Sequence, residues 1–313
     1  MKNTNSDRPL VTFALFAYNQ EQYIREAVEG AFAQTYEPLE IILSDDCSSD
    51  RTFEIMCEMA REYRGPHRVK VRRTQLNAGL SEHINDVARI VQGKIIVLAA
   101  GDDISSSVRT EAHVEIYMKY DNTFAVFSDY NTFPDPASKR YHFKDRACLT
   151  DAEIIYNGGG VQIGATYSYR RECLSWPSPL PSWLTSEDRL LPFRAALLGN
   201  VRYISDALVL YRVSNSPSES RARSRRILGL NNAEHFPLLW REFCAAAFQG
   251  KISLKKKFVI GIILKARSGQ LTLERANVIP RGVTDLAFSP LRLARKIAVL
   301  HDQKRCGGGG GNE

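Results

Sequence analysis

Three pairs of neighbouring acidic residues stand out in the 313-residue chain: Asp45 and Asp46 in EIILSDDCSSD, Asp102 and Asp103 in IIVLAAGDDISS, and Glu187 and Asp188 in SWLTSEDRLLPFR. One such pair alone is ordinary helix-start chemistry, because Asp and Ser accept hydrogen bonds from the first free N–H groups of a helix. Two pairs sharing one crevice are harder to explain that way, since like charges held together cost free energy unless a cation or hydroxyl donors compensate them. A metal ion holding a diphosphate would use one carboxylate, and a ribose or a base would use others. Glu187 and Asp188 admit two readings: acids that complement a helix dipole, or a base that the dipole keeps ionised.

The elements that must position these pairs are legible as periodicity. Strand-like runs occupy residues 10–17, 39–44, 69–73, 95–99 and 124–128. The run at 95–99 is continuously apolar, as the centre of a parallel sheet covered on both faces requires. Between the first two runs, Ile24, Ala27, Val28 and Ala31 form a helical stripe over 20–34, with Asn19 and Gln22 at capping-box spacing. Ile84, Val87, Ala88 and Val91 form another, and Gly93 is expected to end it in a left-handed conformation. The alternation predicts an α/β chain with a mainly parallel central sheet and helices on both faces. Ligands of such sheets bind beyond the carboxyl ends of the strands, where the first two acidic pairs fall.

After residue 128 the pattern changes. Residues 130–163 are rich in Pro, Gly and polar residues, including Asn157 and Gly158 to Gly160, and predict a loop-rich connection forming part of a binding surface. A strand is predicted over 165–169. Trp176 and Trp183 precede a segment whose apolar side is Leu191, Ala195 and Leu198, and Pro192 predicts that regular helix starts close to it.

Bulk properties narrow the class. With 44% hydrophobic and 25% charged residues the chain can bury a sizeable core. No run approaches the ~18 to 20 apolar residues of a membrane span, and MKNTNSDRP lacks a secretory pattern, so the expected compartment is the cytosol. The six cysteines form no CxxC pair or zinc-like spacing and are expected to be reduced, structural thiols. The net charge of +7 is uneven: from Arg221 onward there are 18 Lys and Arg against 6 Asp and Glu, and before it 24 against 29. A basic tail on an acidic body points to something that the tail alone touches, and no nucleic-acid partner is expected.

Six fragments, in order, carry a resemblance: FAYNQEQYI, LSDDCSSDRT, LNAG at 76–79, LAAGDD at 98–103, GATYSYRRE at 164–172 and SEDRLLPFRAALLG at 186–199. From about residue 9 to 215 the chain resembles the family 2 glycosyltransferases, inverting enzymes of the GT-A fold that use nucleotide-diphosphate sugars. The resemblance implies a GT-A catalytic domain over 1–220, with a nucleotide-binding half at about 9–130 and an acceptor half at about 131–220. A basic helical region at 221–305 and a flexible end at 306–313 would follow. It implies that Ala17, Tyr18, Asn19 and Asn77 line the nucleotide site, that Asp45 accepts hydrogen bonds from the base, and that Asp102 faces the ribose. Asp103 would bind a divalent metal, Mg²⁺ or Mn²⁺. Asp188 would be the general base, Glu187 would help hold the acceptor hydroxyl, and Thr166 and Trp183 would lie on the acceptor side.

Three departures from the family pattern bear on these roles. Ala100 and Gly101 stand where many members carry a further Asp. Cys47 replaces a common Gly, which predicts a less extreme backbone there. Ser214 and Asn215 follow Tyr211 and Arg212 where some members place a metal-binding His. The expected donor is a UDP, GDP or dTDP sugar, and the expected acceptor a glycan or lipid-linked glycan. Lys255 to Lys257, and the amphipathic segment after Ser289 and Pro290, could lie on an anionic membrane surface or pack as a helical bundle. A sugar nucleotidyltransferase and a non-catalytic nucleotide-binding or membrane-docked scaffold are the alternatives. The former would carry a Gly-rich basic loop where FAYNQEQY stands.

Overall fold

Strand β1 (Val11–Ala17) is buried along its whole length, and alternate side chains serve two different cores. Val11, Phe13, Leu15 and Ala17 face one layer, with Ile24 and Val28 of α1 (Ile24–Phe32) and Ile55 and Met56 of α2 (Thr52–Glu62). Ala14 and Phe16 face the other, with Ile84 and Val87 of α3 (Leu80–Ala88). A strand buried on both sides has no polar face, which is why its sequence shows no alternation.

The computed structural model describes residues 8–134, 140–141, 148–149, 163–185, 187–213, 235–253 and 260–261. Around β1 lie β2 (Leu39–Asp45), β3 (Arg68–Arg73) and β4 (Ile95–Ala100), all parallel, in the order β3-β2-β1-β4. Next come the short β5 (Ile104–Ser105), α4 (Arg109–Lys119) and β6 (Thr123–Phe133), with β7 (Arg140–Tyr141) and β8 (Cys148–Leu149) as two-residue strands. Strand β9 (Tyr167–Arg170) enters antiparallel between β4 and β6, so the sheet is mixed rather than purely parallel. Helices α5 (Glu172–Ser175) and α6 (Glu187–Leu198) lead to the long β10 (Asn200–Arg212), parallel to β6. Helix α7 (His235–Phe248) follows, and residues 260–261 are again helical.

Several expectations are corrected. Asn19 does not cap α1: its side-chain oxygen accepts from Ser49 N–H (2.8 Å), and the chain turns once more, with Tyr23 and Ile24 N–H on the Gln20 carbonyl, before the helix begins. Gly93 is not left-handed, and α3 ends earlier. Its missing side chain admits β1, because a Cβ would lie 2.4 Å from Thr12 N. The strand predicted at 165–169 starts at Tyr167, since Gly164–Thr166 form a 3-10 turn. Helix α6 runs through Pro192 from Glu187, so the acids open the helix and the proline sits inside it.

Described residues beyond 220 share the core of α6. Leu238, Leu239, Phe243 and Ala246 of α7, with Ile252 and Ile260, are buried in the same cluster as Leu190, Leu191 and Phe193 of α6. At its centre Arg194 and Glu242, both fully buried, form a bidentate ion pair of two 3.1 Å contacts. Among the described residues no helix is long and apolar enough to cross a membrane. Asn157 to Gly160, Ser214, Asn215, Lys255 to Lys257, the segment after Ser289 and the end at 306–313 lie outside the described residues.

Candidate functional site

Register sets the geometry of the crevice. Ala17 pairs with Asp45 and Phe16 with Ala100, so the loops after β1, β2 and β4 leave the sheet side by side at its carboxyl edge. Two of these loops are laced together. Asn19, in the left-handed region at φ 52°, donates its N–H to Ser48 Oγ (2.9 Å). Gln20 N–H donates to Thr52 Oγ1 (2.7 Å), Glu21 N–H to Asp50 (3.0 Å) and Arg51 N–H to Glu21 (3.0 Å). Asn tolerates that conformation better than most residues. Tyr18 is left 45% exposed on this rigid loop, a platform on which a flat ring can stack.

Asp45 and Asp46 are both held by hydrogen bonds to neighbouring turns. Asp45 is fully buried, and it accepts from Ser48 N–H (2.9 Å), Ser48 Oγ and Arg73 Nε (3.2 Å). Its carboxylate thereby shapes the turn that follows β2. Asp46 accepts from Thr74 Oγ1 (3.0 Å) and from the N–H groups of Ala78 (3.0 Å) and Gly79 (2.9 Å), and so holds the loop carrying Asn77. Asn77 is exposed at that loop's tip. Cys47 has φ 62°, so the backbone is the one a glycine would take, and the expectation of a less extreme conformation is overturned.

The turn after β4 lies hard against the β1–α1 loop. A Cβ on Gly101 would come within 2.4 Å of Gln20 Oε1 and 2.9 Å of Ala17 Cβ, so a side chain at this position has no room. Asp102 is half-buried and Asp103 almost wholly so. Asp103 Oδ1 accepts from the N–H of Arg212 (2.8 Å), whereas Oδ2 is buried and has no hydrogen-bond partner. Burial first, and the neighbouring Asp102 second, push the Asp103 carboxyl well above the usual range. The fully buried Arg109 lies behind it, held by Ser105 Oγ (2.9 Å) and the carbonyls of Leu98 (2.9 Å) and Tyr167 (3.2 Å). Burial lowers the Arg109 pKa to about 9, and the Asp103 charge opposes that shift. A buried carboxylate oxygen without a donor fits a hard divalent cation. Asp103 is the residue that could anchor such an ion, and among the described residues no three His, Cys, Asp or Glu side chains converge on one.

The third acidic pair reaches this region through the 3-10 turn, which packs against β4 and β6. Glu187 and Asp188 open α6, and Glu187 lies so close to Gly164 that a Cβ there would fall 2.2 Å from its Oε1. Thr166 is buried and donates its hydroxyl to the Ile163 carbonyl (2.8 Å), closing its own turn. Trp183 is 52% exposed, on a loop fastened to α3 by Ser81 Oγ donating to the Leu184 carbonyl and by Asn85, which bonds both N–H and carbonyl of Leu180 (2.8 Å each).

Sequence reasoning missed Arg73, Arg109 and Arg212. The Tyr211–Arg212 pair is visible in the sequence, but its contacts with Asp102 and Asp103 span more than a hundred residues.

The family model described as Glycosyl transferase family 2 matches residues 12–175. An uncharacterized glycosyltransferase of Haemophilus influenzae is 33% identical over 225 residues, 68% of each chain. An uncharacterized protein of Mycobacterium tuberculosis is 28% identical over 202 residues, 63% of this chain, and that match spans only 56% of the mycobacterial protein's length. Among solved structures, Staphylococcus aureus TarS 1–349 in complex with UDP-GlcNAc is similar with a TM-score of 0.62 at 19% identity, covering 84% of this chain and 74% of that one. The mannosyltransferase PcManGT of Pyrobaculum calidifontis, in complex with GDP-Man and Mn²⁺, is similar with a TM-score of 0.56 at 17% identity over 97% and 89%. These two likenesses establish the fold.

Proposed function

The chain belongs to glycosyl transferase family 2, and from that membership we propose that it moves a sugar from a nucleotide-diphosphate donor to an acceptor hydroxyl, with inversion at the anomeric carbon. The observation that carries this reading is the buried Asp103 oxygen, which has no partner among the described residues, at the carboxyl edge of the sheet where the adjoining β1 loop exposes Tyr18. Tyr18 would stack on the base and Asn77 would border it. Asp102 would face the ribose. Asp103 would hold Mg²⁺ or Mn²⁺, which when bound stabilises the negative charge that develops on the leaving diphosphate.

Across the crevice, Asp188 takes the proton of the acceptor hydroxyl as its oxygen attacks the anomeric carbon and the bond to the diphosphate breaks. Glu187, held against Gly164, steadies that hydroxyl. An aspartate is a weak base, so its help comes late, as the attacking oxygen acidifies, and is typically worth about 100 to 10,000-fold in rate. A TarS complex holds UDP-GlcNAc and a PcManGT complex holds GDP-Man with Mn²⁺, which makes both nucleotides natural first probes. The excess of 18 basic over 6 acidic residues after residue 220 favours an acceptor presented at an anionic membrane surface, such as a lipid-linked glycan.

The test is release of nucleoside diphosphate from UDP-GlcNAc, GDP-Man and dTDP-sugars in the presence of Mn²⁺ and lipid-linked acceptors. One donor should turn over, and Asp188→Asn should lose that turnover while retaining nucleotide binding. Near-normal turnover by the variant would remove Asp188 from the mechanism.

A further inference from the structure

Strand β5 follows Asp103 directly and pairs antiparallel with β10, Ser105 against Val209 and Ile104 against Leu210. Continued by two residues, that pairing brings Arg212 opposite the Asp102–Asp103 turn. There Arg212 makes five contacts. Its N–H donates to Asp103 Oδ1 (2.8 Å), its Nε to the Asp102 carbonyl (2.9 Å) and its Nη2 to Glu26 (2.6 Å). Its guanidinium carbon lies 4.3 Å from the ring centre of Tyr23 and 4.2 Å from that of Phe133. Glu26 and Tyr23 belong to the start of α1, Phe133 ends β6, and Asp102 and Asp103 follow β4. One side chain thus ties three loop regions to the end of β10.

Resting on the reading that Asp103 anchors the donor's cation, we infer that Arg212 is a positioning residue: it fixes the Asp102–Asp103 turn so that one Asp103 oxygen is held and the other is left to bind the metal. The backbone N–H supplies the hold, and the side chain keeps that N–H in place by fastening to the Asp102 carbonyl. Stability alone does not account for the arrangement. The ion pair with Glu26 is half-exposed on the Glu26 side and contributes little. The contacts that distinguish this arginine go to the turn itself. Lysine cannot reproduce them, because a single ammonium on a flexible stem lacks the planar fork that meets two acceptors and two rings at once.

Such outer contacts on a metal-binding carboxylate typically change metal affinity by about 10 to 100-fold when removed. The experiment counts free Mn²⁺ by electron paramagnetic resonance during titration of the full chain with Mn²⁺ in the presence of UDP, GDP or dTDP. Wild type, Arg212→Met, Arg212→Lys and Glu26→Gln are compared. Nucleotide binding in EDTA and thermal unfolding are measured alongside. The inference predicts that Arg212→Met weakens Mn²⁺ binding by about 10-fold or more, while nucleotide binding without metal and the unfolding temperature are kept. Arg212→Lys should recover little and Glu26→Gln should lose little. Unchanged Mn²⁺ affinity in Arg212→Met would overturn it, as would full recovery by lysine, which would make the role one of charge alone. A loss of metal affinity that only follows a fall in unfolding temperature would make Arg212 structural and also overturn it. Failure of the wild type itself to bind Mn²⁺ with any of the three nucleotides would sink the donor-site reading and this inference together. Loss in the variant alone cannot be confused with that.

Discussion

Replacing Glu242 by Leu should destabilise the whole catalytic domain, although Glu242 lies beyond the matched region 12–175. Its carboxylate meets Arg194 through two 3.1 Å contacts, and neither residue has any exposure. Once the carboxylate is gone, Arg194 retains only long contacts to the carbonyls of Cys173 (3.4 Å) and Leu174 (3.5 Å). Removing one partner of a buried pair leaves an uncompensated charge and costs about 3 to 5 kcal/mol. With a urea m-value of about 3 kcal/mol/M for a domain of this size, the unfolding midpoint should fall by about 1 to 1.7 M. The double variant Arg194→Met with Glu242→Leu removes both charges, and should recover most of the loss or exceed the wild type. Equilibrium urea unfolding of the three proteins at pH 7 measures this. A single substitution costing less than about 1 kcal/mol, the range of an exposed pair, would show that α7 does not seal the core behind α6.

Other predictions concern the crevice and its support. Gly101→Ala should cost about 1 to 3 kcal/mol as an overpacked site, because the new methyl meets Ala17 as well as the movable end of Gln20; urea unfolding reads it. Gly164→Ala should behave differently, since its methyl meets only the flexible end of Glu187 within 3 Å. Turnover should fall while the unfolding midpoint holds. His83, buried beside Ser44 Oγ (2.6 Å), has its pKa lowered by burial from 6.5 to about 4. A histidine lowered on folding favours the native state fully above the unfolded value and loses that contribution as pH falls toward the folded value. By pH 5 the loss from this ring should be about 2 kcal/mol, and His83→Gln should flatten that part of the stability profile between pH 7 and 4.

The central strands were readable because burial on both faces leaves an unbroken apolar run, as in 95–99, and the carboxyl-edge placement of Asp102 and Asp103 followed from that. Strand β9 was found as a strand, but its antiparallel entry was not, since direction depends on what its neighbours pair with rather than on its own four residues. Pro192 misled because local sterics disfavour proline inside a helix, while burial of Leu190, Leu191 and Phe193 around it holds the helix together. Cys47 misled in the same sense: the hydrogen bonds of Asp45 and Asp46 on either side impose a left-handed residue whatever its type. The contacts of Asp45 with Ser48 and Arg73 are also invisible locally, because Arg73 lies on the next strand of the sheet. Arg109 and Arg212 act across 58 and 110 residues of sequence separation, on Tyr167 and Asp102, which no local pattern encodes.

The most direct test of the account is calorimetric titration of wild type and Asp103→Asn with UDP, GDP and dTDP, each in Mn²⁺ and in chelator. The account predicts that one nucleotide binds the wild type more tightly with Mn²⁺, and that the Mn²⁺-dependent gain disappears in Asp103→Asn. Equal affinity in Mn²⁺ and chelator, or a gain that survives the substitution, would contradict the assignment of the buried Asp103 oxygen to the metal of the donor complex.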